Sequence, residues 1–490
     1  MIKNLFIDLT KYLPSKAVPA MVRIVSLPII TRLFLPSEYG NYVFVMVTIS
    51  FLSTFSGWVN MSLIRFYPAY EKNAKGEEFV GLTIKLSWLS ILAISAFFVL
   101  ILFSFRNYFP GQLYRLMAIG LVVFALTSFF EILLDFLRIK RWVGWYSGFY
   151  VWKDITTLLL GVALVILFHF DVDGLLWGGV LSIGLVLPFL WKIAVGRLRI
   201  ISRQISLKSS FEMAKYSLPL VVGNLAAWIL SLSDRYMLQF FRGAQEVGFY
   251  SISYQISYAT IMSFTALFAL AFNPLSMVIW EKQGYRQSQD FISKGTRYLL
   301  LLCIPAIVGI SVMRYPIIMM LSTPSYYPGV KIIPFVLLGV FFLGLNKMFG
   351  SGLSFYKKTK FIMYSLIIAA FSNLALNFLF IPKYGYMAAA ITTLISYALL
   401  LLLTIIFSRR FFVWQFPFRS LARSLIASLT AGTAAYYFLN AFSYSPATSL
   451  MVGIGGIIVI YTTMLFALGE FEVREKELVK QIVGRCIGSA

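Results

Sequence analysis

Residues 13–34, with the sequence LPSKAVPAMVRIVSLPIITRLF, form an apolar stretch that nevertheless contains three basic side chains. About 20 apolar residues suffice for a helix to span the hydrocarbon core of a membrane, whereas a Lys or Arg at its centre costs about 2.5–3.5 kcal/mol on insertion scales. Arg23 lies at the midpoint of this stretch, too deep for its guanidinium to reach either interface. The stretch therefore predicts a bundle of membrane helices whose interior offers this cation water or an anionic partner.

The whole chain has the composition of an integral membrane protein. Of its 490 residues, 60% are hydrophobic and 12% are charged, whereas soluble domains average about 45–50% apolar and about 25% charged residues. We therefore predict an all-α polytopic membrane protein with about fourteen transmembrane helices, each of about 20 residues. The predicted spans are residues 13–34, 40–62, 79–103, 113–135, 146–168, 174–194, 213–235, 248–272, 297–321, 329–351, 361–381, 386–407, 418–440 and 448–468.

Basic residues are distributed very unevenly between the predicted loops. Of the 42 Lys and Arg residues, 29 fall in tails, loops and flanks on the N-terminal side of the spans, and five fall in the opposite loops. Cytoplasmic loops carry the excess of Lys and Arg in membrane proteins. We therefore expect a multi-pass protein of the cytoplasmic (inner) membrane with both termini in the cytoplasm. This topology explains most of the net charge of +23, so the charge indicates no nucleic-acid partner.

A short motif is repeated in the two halves of the chain. The pattern E-x-G-x-Y occurs at residues 38–42 and again at 246–250, 208 residues later. In the predicted topology both copies follow an outward-running span, which indicates two lobes with the same orientation. The predicted segments are a six-helix lobe at 1–194, a cytoplasmic linker at 195–212, a second six-helix lobe at 213–407, two additional helices at 408–468 and a cytoplasmic tail at 469–490.

The same region carries a resemblance to a known family. The segments SLPIITR (26–32), PSEYGNY (36–42), SDRY (233–236) and EVGFY (246–250) resemble those of Wzx-type polysaccharide flippases. These belong to the multidrug/oligosaccharidyl-lipid/polysaccharide exporter (MOP) superfamily. The resemblance implies two six-helix lobes around a central cavity, followed by two C-terminal helices.

The resemblance also implies an activity and partners. Such a flippase moves a polyprenyl-pyrophosphate-linked oligosaccharide from the cytoplasmic to the outer leaflet, for surface polysaccharide biosynthesis such as lipopolysaccharide O-antigen export. The implied partners are this lipid-linked oligosaccharide, membrane lipids and the polysaccharide polymerase or assembly proteins. We expect a monomer.

The residues themselves support an anionic substrate, because several cations lie within predicted spans. A pyrophosphate group in a cavity of low dielectric constant needs charged hydrogen-bond donors. Lys16 and Arg23 are seven residues apart and so lie on one helix face. Snorkelling to an interface, or pairing of an arginine with Glu38 or Asp234, is the structural alternative. The predicted substrate-binding residues are Arg23, Lys16, Lys85, Arg32, Lys347 and Arg235.

Two polar stripes at helical spacing could line a path for sugars. Tyr254 and Tyr258 share one helix face, as do Asn373 and Asn377. Aromatic rings stack on sugars and amides hydrogen-bond to them. The alternative for both stripes is packing and hydrogen bonding between helices.

Acidic side chains within spans are candidates for coupling to a cation gradient. We assign this role to Asp135 and Asp154. The alternative is local pairing, because Glu131, Asp135 and Arg138 follow one helix face and Lys153 precedes Asp154.

The sequence lacks the motifs of an enzyme, so we predict a transporter with no catalytic residue, no cofactor and no metal site. Two alternatives remain open. A cation-coupled multidrug exporter of the same superfamily would need acids in its cavity, whereas the first span carries three bases and no acid. A membrane glycosyl polymerase or acyltransferase would need catalytic residues, commonly in a sizeable external loop, and the predicted outer loops are short.

Overall fold

The computed structural model describes residues 14–196, 207–441, 445–471 and 475. Within these ranges the regular structure consists of fifteen α-helices and two 3-10 segments, with no β-strand. The central part of the predicted linker, residues 197–206, lies outside the described residues, as do 1–13, 442–444 and most of the predicted tail, 472–474 and 476–490.

The chain folds into two compact units. The first comprises Met1–Ile252 and Leu366–Ser396, and the second comprises Ser253–Ser365 and Tyr397–Ala490. The predicted division into six-helix lobes stays a prediction. The helices that begin in the first unit are α1 (Pro14–Leu33), α2 (Pro36–Ser56), α3 (Trp58–Lys72), α4 (Gly76–Ser104), α5 (Gly111–Ile139), α6 (Val143–Phe168), α7 (Asp173–Ala194), α8 (Leu207–Phe241) and α9 (Ala244–Gln283).

The second unit contains the C-terminal helices and has its own core. Its helices are α10 (Tyr285–Val312), α11 (Arg314–Leu321), α12 (Ile333–Phe355), α14 (Phe418–Ala441) and α15 (Pro446–Ala467), together with parts of α9 and α13 (Thr359–Arg409). Met313, Ala431, Ala435 and Ile457 form a buried apolar cluster between these helices. Small alanine side chains let α14 approach its neighbours closely, as is common in membrane helix packing.

Among the described residues, ten helices or helix pairs are long and apolar enough to cross a bilayer. The predicted count is fourteen, and the difference has a simple origin. The predicted spans 361–381 and 386–407 share the single long helix α13. Three further spans lie on α1, α9 and α14, which are not among the ten. Three basic residues and three prolines lower the mean hydropathy of α1. Every predicted span thus lies on helical structure, and the all-α polytopic fold is confirmed.

A glycine divides α13 at the boundary that the sequence predicts between two spans. Gly385 has φ 58° and ψ −141°, a conformation outside the helical region that glycine adopts without a Cβ clash. The carboxylate of Glu246 accepts a hydrogen bond from the backbone N–H of Tyr386, with a donor–acceptor distance of 2.9 Å. This contact satisfies one amide at the start of the second half of α13.

The two copies of the E-x-G-x-Y motif pack against each other within the first unit. A Cβ atom at Gly40 would collide with the carbonyl group of Ala244, and one at Gly248 would collide with the carbonyl group of Pro36. The start of α2 and the start of α9 therefore approach backbone to backbone, which only glycine permits at these two positions. The two copies of the motif, which the sequence shows as a repeat, thus contact each other in the structure.

Candidate functional site

A cavity of about 500 Å³, lined by both polar and apolar side chains, lies in the first unit between α2, α3 and α5. We call it the hydroxyl cavity, because five Ser or Thr hydroxyl groups line it. Its polar lining residues are Ser50, Ser53, Ser56, Asn60, Thr127, Ser128 and Glu131. The hydroxyl oxygens of Ser56 and Ser128 lie 3.1 Å apart and connect α2 to α5. Its volume falls within the range of about 300–1,000 Å³ that is usual for ligand pockets.

Opposite charges from two helices meet at one edge of the hydroxyl cavity. Glu131 on α5 lines the cavity, and its carboxylate lies 3.8 Å from the ammonium nitrogen of Lys153 on α6. The same nitrogen lies 3.7 Å from a carboxylate oxygen of Asp154. The side chains of Lys153 and Asp154 are largely buried, with 17% and 20% of their surface exposed. The ion pair between Lys153 and Glu131 therefore connects α6 to α5.

Asp135 extends this charged group by one helical turn beyond Glu131. Its carboxylate accepts a hydrogen bond of 2.8 Å from the amide of Asn60 on α3 and lies 3.9 Å from the guanidinium of Arg138. Asp135 and Asp154 thus both lie beside basic side chains, as local pairing would require. Their assigned role in ion coupling stays a prediction.

Arg23 lies in the middle of α1 and is exposed in the first unit. Helix α1 packs against α6, and the guanidinium of Arg23 lies near enough to Tyr150 on α6 to act on it through charge. The ring of Tyr150 also lies 4.7 Å from the ammonium nitrogen of Lys153, a cation–π contact. The structure therefore brings Arg23 to the part of α6 that carries the charged group beside the hydroxyl cavity.

The other predicted cations differ in exposure and in the unit to which they belong. Arg32 is exposed near the end of α1, and Lys85 is half-buried on α4. Lys347 is exposed on α12 and belongs to the second unit. The side chain of Lys16 lies outside the described residues. Their assigned roles in substrate binding stay predictions.

Arg235 is buried in an ion pair on α8. Its guanidinium donates a hydrogen bond of 2.7 Å to the carboxylate of Asp234 and one of 2.8 Å to the carbonyl of Ser231. Tyr250 donates its hydroxyl hydrogen to the other carboxylate oxygen of Asp234 and stacks its ring 5.1 Å from the guanidinium. This cation is neutralised within the protein, as the structural alternative anticipates, and its binding of substrate stays a prediction.

The predicted sugar path is divided between two buried groups. Asn377 donates to Asn373 at 3.0 Å and accepts from Thr392, and both asparagines are fully buried in the first unit. In the second unit the rings of Tyr254 and Tyr258 stack 5.7 Å apart. These contacts are those of helix packing, and the role of all four residues in binding sugars stays a prediction.

Sequence reasoning missed the hydroxyl cavity, although a signal for it exists. Ser50, Ser53 and Ser56 recur every three residues along α2, and Asn60 continues the stripe on α3. This is the spacing of one helix face. In the described part of the chain, no group of three or more His, Cys, Asp or Glu side chains could hold a metal ion.

The long apolar helices, with charged side chains and a hydroxyl-lined cavity among them, define a polytopic α-helical membrane protein. The chain belongs to the polysaccharide biosynthesis protein family, whose model matches residues 29–331. This match confirms the resemblance predicted from the motifs at residues 26–42 and 233–250.

Two curated relatives are similar to parts of the chain. One is an uncharacterized membrane protein of Methanocaldococcus jannaschii, 28% identical over 42% of this chain and 40% of its own length. The other is the probable low-salt glycan biosynthesis flippase Agl15 of Haloferax volcanii, 23% identical over 68% of this chain and 66% of its own length. The chain thus spans less than two thirds of either curated relative.

Solved structures share the fold over most of the chain. A structure of the lipid II flippase MurJ in an inward closed conformation matches with a TM-score of 0.73, at 17% identity, over 94% of this chain and 99% of MurJ. An inward-facing multidrug resistance MATE transporter of the MOP superfamily matches with a TM-score of 0.65, at 12% identity, over 82% of this chain and 94% of the transporter. At such identities the likeness shows the fold alone.

Proposed function

We propose that this chain is a flippase that moves a polyprenyl-pyrophosphate-linked oligosaccharide from the cytoplasmic to the outer leaflet by alternating access. Its product would supply surface polysaccharide biosynthesis. We place it in the cytoplasmic membrane as a monomer with both termini in the cytoplasm, working beside the polymerase or assembly proteins of the pathway. The family match and the similarity to the probable glycan biosynthesis flippase of Haloferax volcanii support this proposal.

One observation carries the proposal: the same compact unit contains both Arg23 and the hydroxyl cavity. A lipid-linked oligosaccharide has two polar parts that need different partners. Its pyrophosphate needs cations, because charge-assisted hydrogen bonds are about twice as strong as neutral ones. Its sugars need neutral donors and acceptors, which Ser50, Ser53 and Asn60 offer in the cavity. Arg23 supplies positive charge near Tyr150 on α6, one turn from Lys153 and its two carboxylate partners.

Within this mechanism Arg23 holds the pyrophosphate while the cavity hydroxyls hydrogen-bond the first sugars. Lys16 and Lys85 would guide the headgroup from the cytoplasmic leaflet. Asp135 and Asp154 are our candidates for coupling to a cation gradient, because protonation of either carboxylate would change the charge balance around Lys153.

Replacement of Arg23 tests the proposal. Loss of a hydrogen-bond partner of a charged group costs about 1.5–3 kcal/mol, so we expect Arg23→Ala to lower oligosaccharide export at least about tenfold in a flippase-deficient strain. Arg23→Lys should retain part of the activity. Arg106→Ala is the matched control, because it removes an exposed arginine from a loop that we predict to be external. Export should be measured with matched amounts of protein in the membrane.

One observation favours a second candidate, a cation-coupled multidrug exporter. Glu131 places a carboxylate on the wall of the hydroxyl cavity, where a cationic drug could bind. The same strains decide between the candidates through efflux of a cationic dye. Dye efflux that is lost in Glu131→Gln, together with no oligosaccharide export by the wild-type chain in the flippase-deficient strain, would reject the flippase proposal in favour of the exporter. Full export by Arg23→Ala would instead reject the role of Arg23.

A further inference from the structure

A non-helical aromatic segment connects α13 to α14 in the second unit. Its residues 411–417 read FFVWQFP, and Arg409, Arg410 and Arg419 lie near its two ends. The charge bias of the loops predicts that this segment lies at the cytoplasmic interface. Clusters of aromatic residues mark membrane–water interfaces.

Side chains of α10 hold the backbone of this segment in place. The hydroxyl of Tyr285 accepts from the N–H of Val413 at 3.1 Å, and the amide of Gln289 donates to the carbonyl of Val413. The hydroxyl of Ser293 donates to the carbonyl of Gln415 at 2.7 Å. These contacts fix irregular backbone that would otherwise have unsatisfied polar groups.

An apolar cavity of about 670 Å³ lies between this segment, α12, α13 and α14. We call it the aromatic cavity. Its wall includes Leu345, Phe349 and Leu401, with Trp414 and Phe416 from the segment. The ring of Phe349 lies 4.9 Å from that of Trp414 and 6.0 Å from that of Phe416. The three rings form a continuous apolar surface.

One basic side chain lines the aromatic cavity. Arg409, the last residue of α13, is its only charged lining residue, and no ion pair is formed by Arg409 within the described ranges. Arg410 differs, because its guanidinium lies over the ring of Phe407, 5.9 Å from the centroid, and does not line the cavity. Two adjacent arginines thus have different surroundings.

We propose that the aromatic cavity binds an anionic phospholipid of the cytoplasmic leaflet. An acyl chain occupies the apolar space between Phe349, Trp414 and Leu401, and the lipid phosphate pairs with Arg409. Three features support this occupant. Apolar cavities exclude water and take hydrocarbon, the volume is that of a ligand pocket, and the cytoplasmic leaflet is the anionic one. Bound lipid would then join α12 and α14 through the aromatic segment.

This site shares no lining residue with the hydroxyl cavity and requires no particular transport substrate. Binding is tested with the purified full chain in detergent. Dioleoyl-phosphatidylglycerol or dioleoyl-phosphatidylcholine is titrated in, and the bound lipid is counted by native mass spectrometry. We expect preferential binding of phosphatidylglycerol. Arg409→Gln should weaken it about tenfold, the cost of a charged hydrogen bond, whereas Arg410→Gln should leave it unchanged.

A second pair of variants tests the acyl-chain site independently of charge. Leu401→Phe adds volume inside the aromatic cavity and should reduce the binding of both lipids, whereas Leu402→Phe, at an exposed neighbour outside it, should not. Equal losses in the two arginine variants, no preference for phosphatidylglycerol, or unchanged binding in Leu401→Phe would each overturn the proposal. Displacement of phosphatidylglycerol by an equal concentration of undecaprenyl phosphate would also overturn it, since the occupant would then be the polyprenyl carrier.

Discussion

At the scale of single residues, Glu470 shows how a buried carboxylate joins separate helices. It follows α15, and its side chain is 1% exposed. Its carboxylate accepts hydrogen bonds from Arg297 on α10 at 2.7 Å, and from Ser420 and Arg423 on α14 at 2.6 and 3.1 Å. Burial alone would raise the pKa of Glu470, but these donors lower it below its ordinary value.

This arrangement predicts a stability that depends on pH. Because the folded state has the lower pKa, the ionised Glu470 stabilises the fold fully above the ordinary glutamate pKa of about 4.3. That stability is lost as the pH falls through the lower pKa of the folded state. Glu470→Gln should lower the unfolding free energy by about 1.5–3 kcal/mol at pH 7, because it removes the carboxylate that accepts charged hydrogen bonds from Arg297 and Arg423. The loss is limited because Arg297 keeps its ion pair with Glu475.

The measurement is the difference in melting temperature between wild type and Glu470→Gln across a pH series. The difference should be constant near neutral pH and shrink in acid. Asp290→Asn is the control, since Asp290 pairs with Lys294 on an exposed helix face and such pairs contribute little. A difference that does not change with pH would contradict the assignment.

At the scale of helices, the paired E-x-G-x-Y motifs predict that added volume is costly at two positions. Gly40→Ala would force a methyl group against the carbonyl of Ala244, and Gly248→Ala would force one against the carbonyl of Pro36, each two residues before the opposite motif. Overpacking typically costs about 1–3 kcal/mol, so both variants should melt at lower temperature in a thiol-reactive dye assay. Gly148→Ala on α6 has open space around its Cβ and should be neutral or slightly stabilising, because alanine favours helix. Equal melting temperatures for Gly40→Ala and Gly148→Ala would show that the motifs do not pack tightly.

At the scale of the whole molecule, the sequence predicts the helices better than the site. Apolar runs locate every span, and Gly385 divides α13 where two spans were expected. The site is harder because spacing assigns a residue to a face of its own helix and not to the neighbour that covers it. Spacing could not decide, for example, whether Arg235 faces a cavity. In the structure its guanidinium contacts Asp234 and Tyr250. The sequence does not predict that Ser50 and Ser53 line a cavity, because small hydroxyl residues are equally common in helix packing.

The orientation of the molecule in the membrane is the prediction that involves every loop. Asn73 and Asn107 are exposed at opposite ends of α4, and the excess of basic residues predicts that Asn73 is cytoplasmic and Asn107 external. Asn→Cys variants at the two positions are compared in a Cys486→Ser background, where Cys303 is buried. A membrane-impermeant maleimide should label Asn107→Cys in intact cells and Asn73→Cys only after permeabilisation. The reverse labelling pattern would show that the chain has the opposite orientation in the membrane. The cations proposed to receive the lipid headgroup from the cytoplasmic leaflet would then face the outer leaflet.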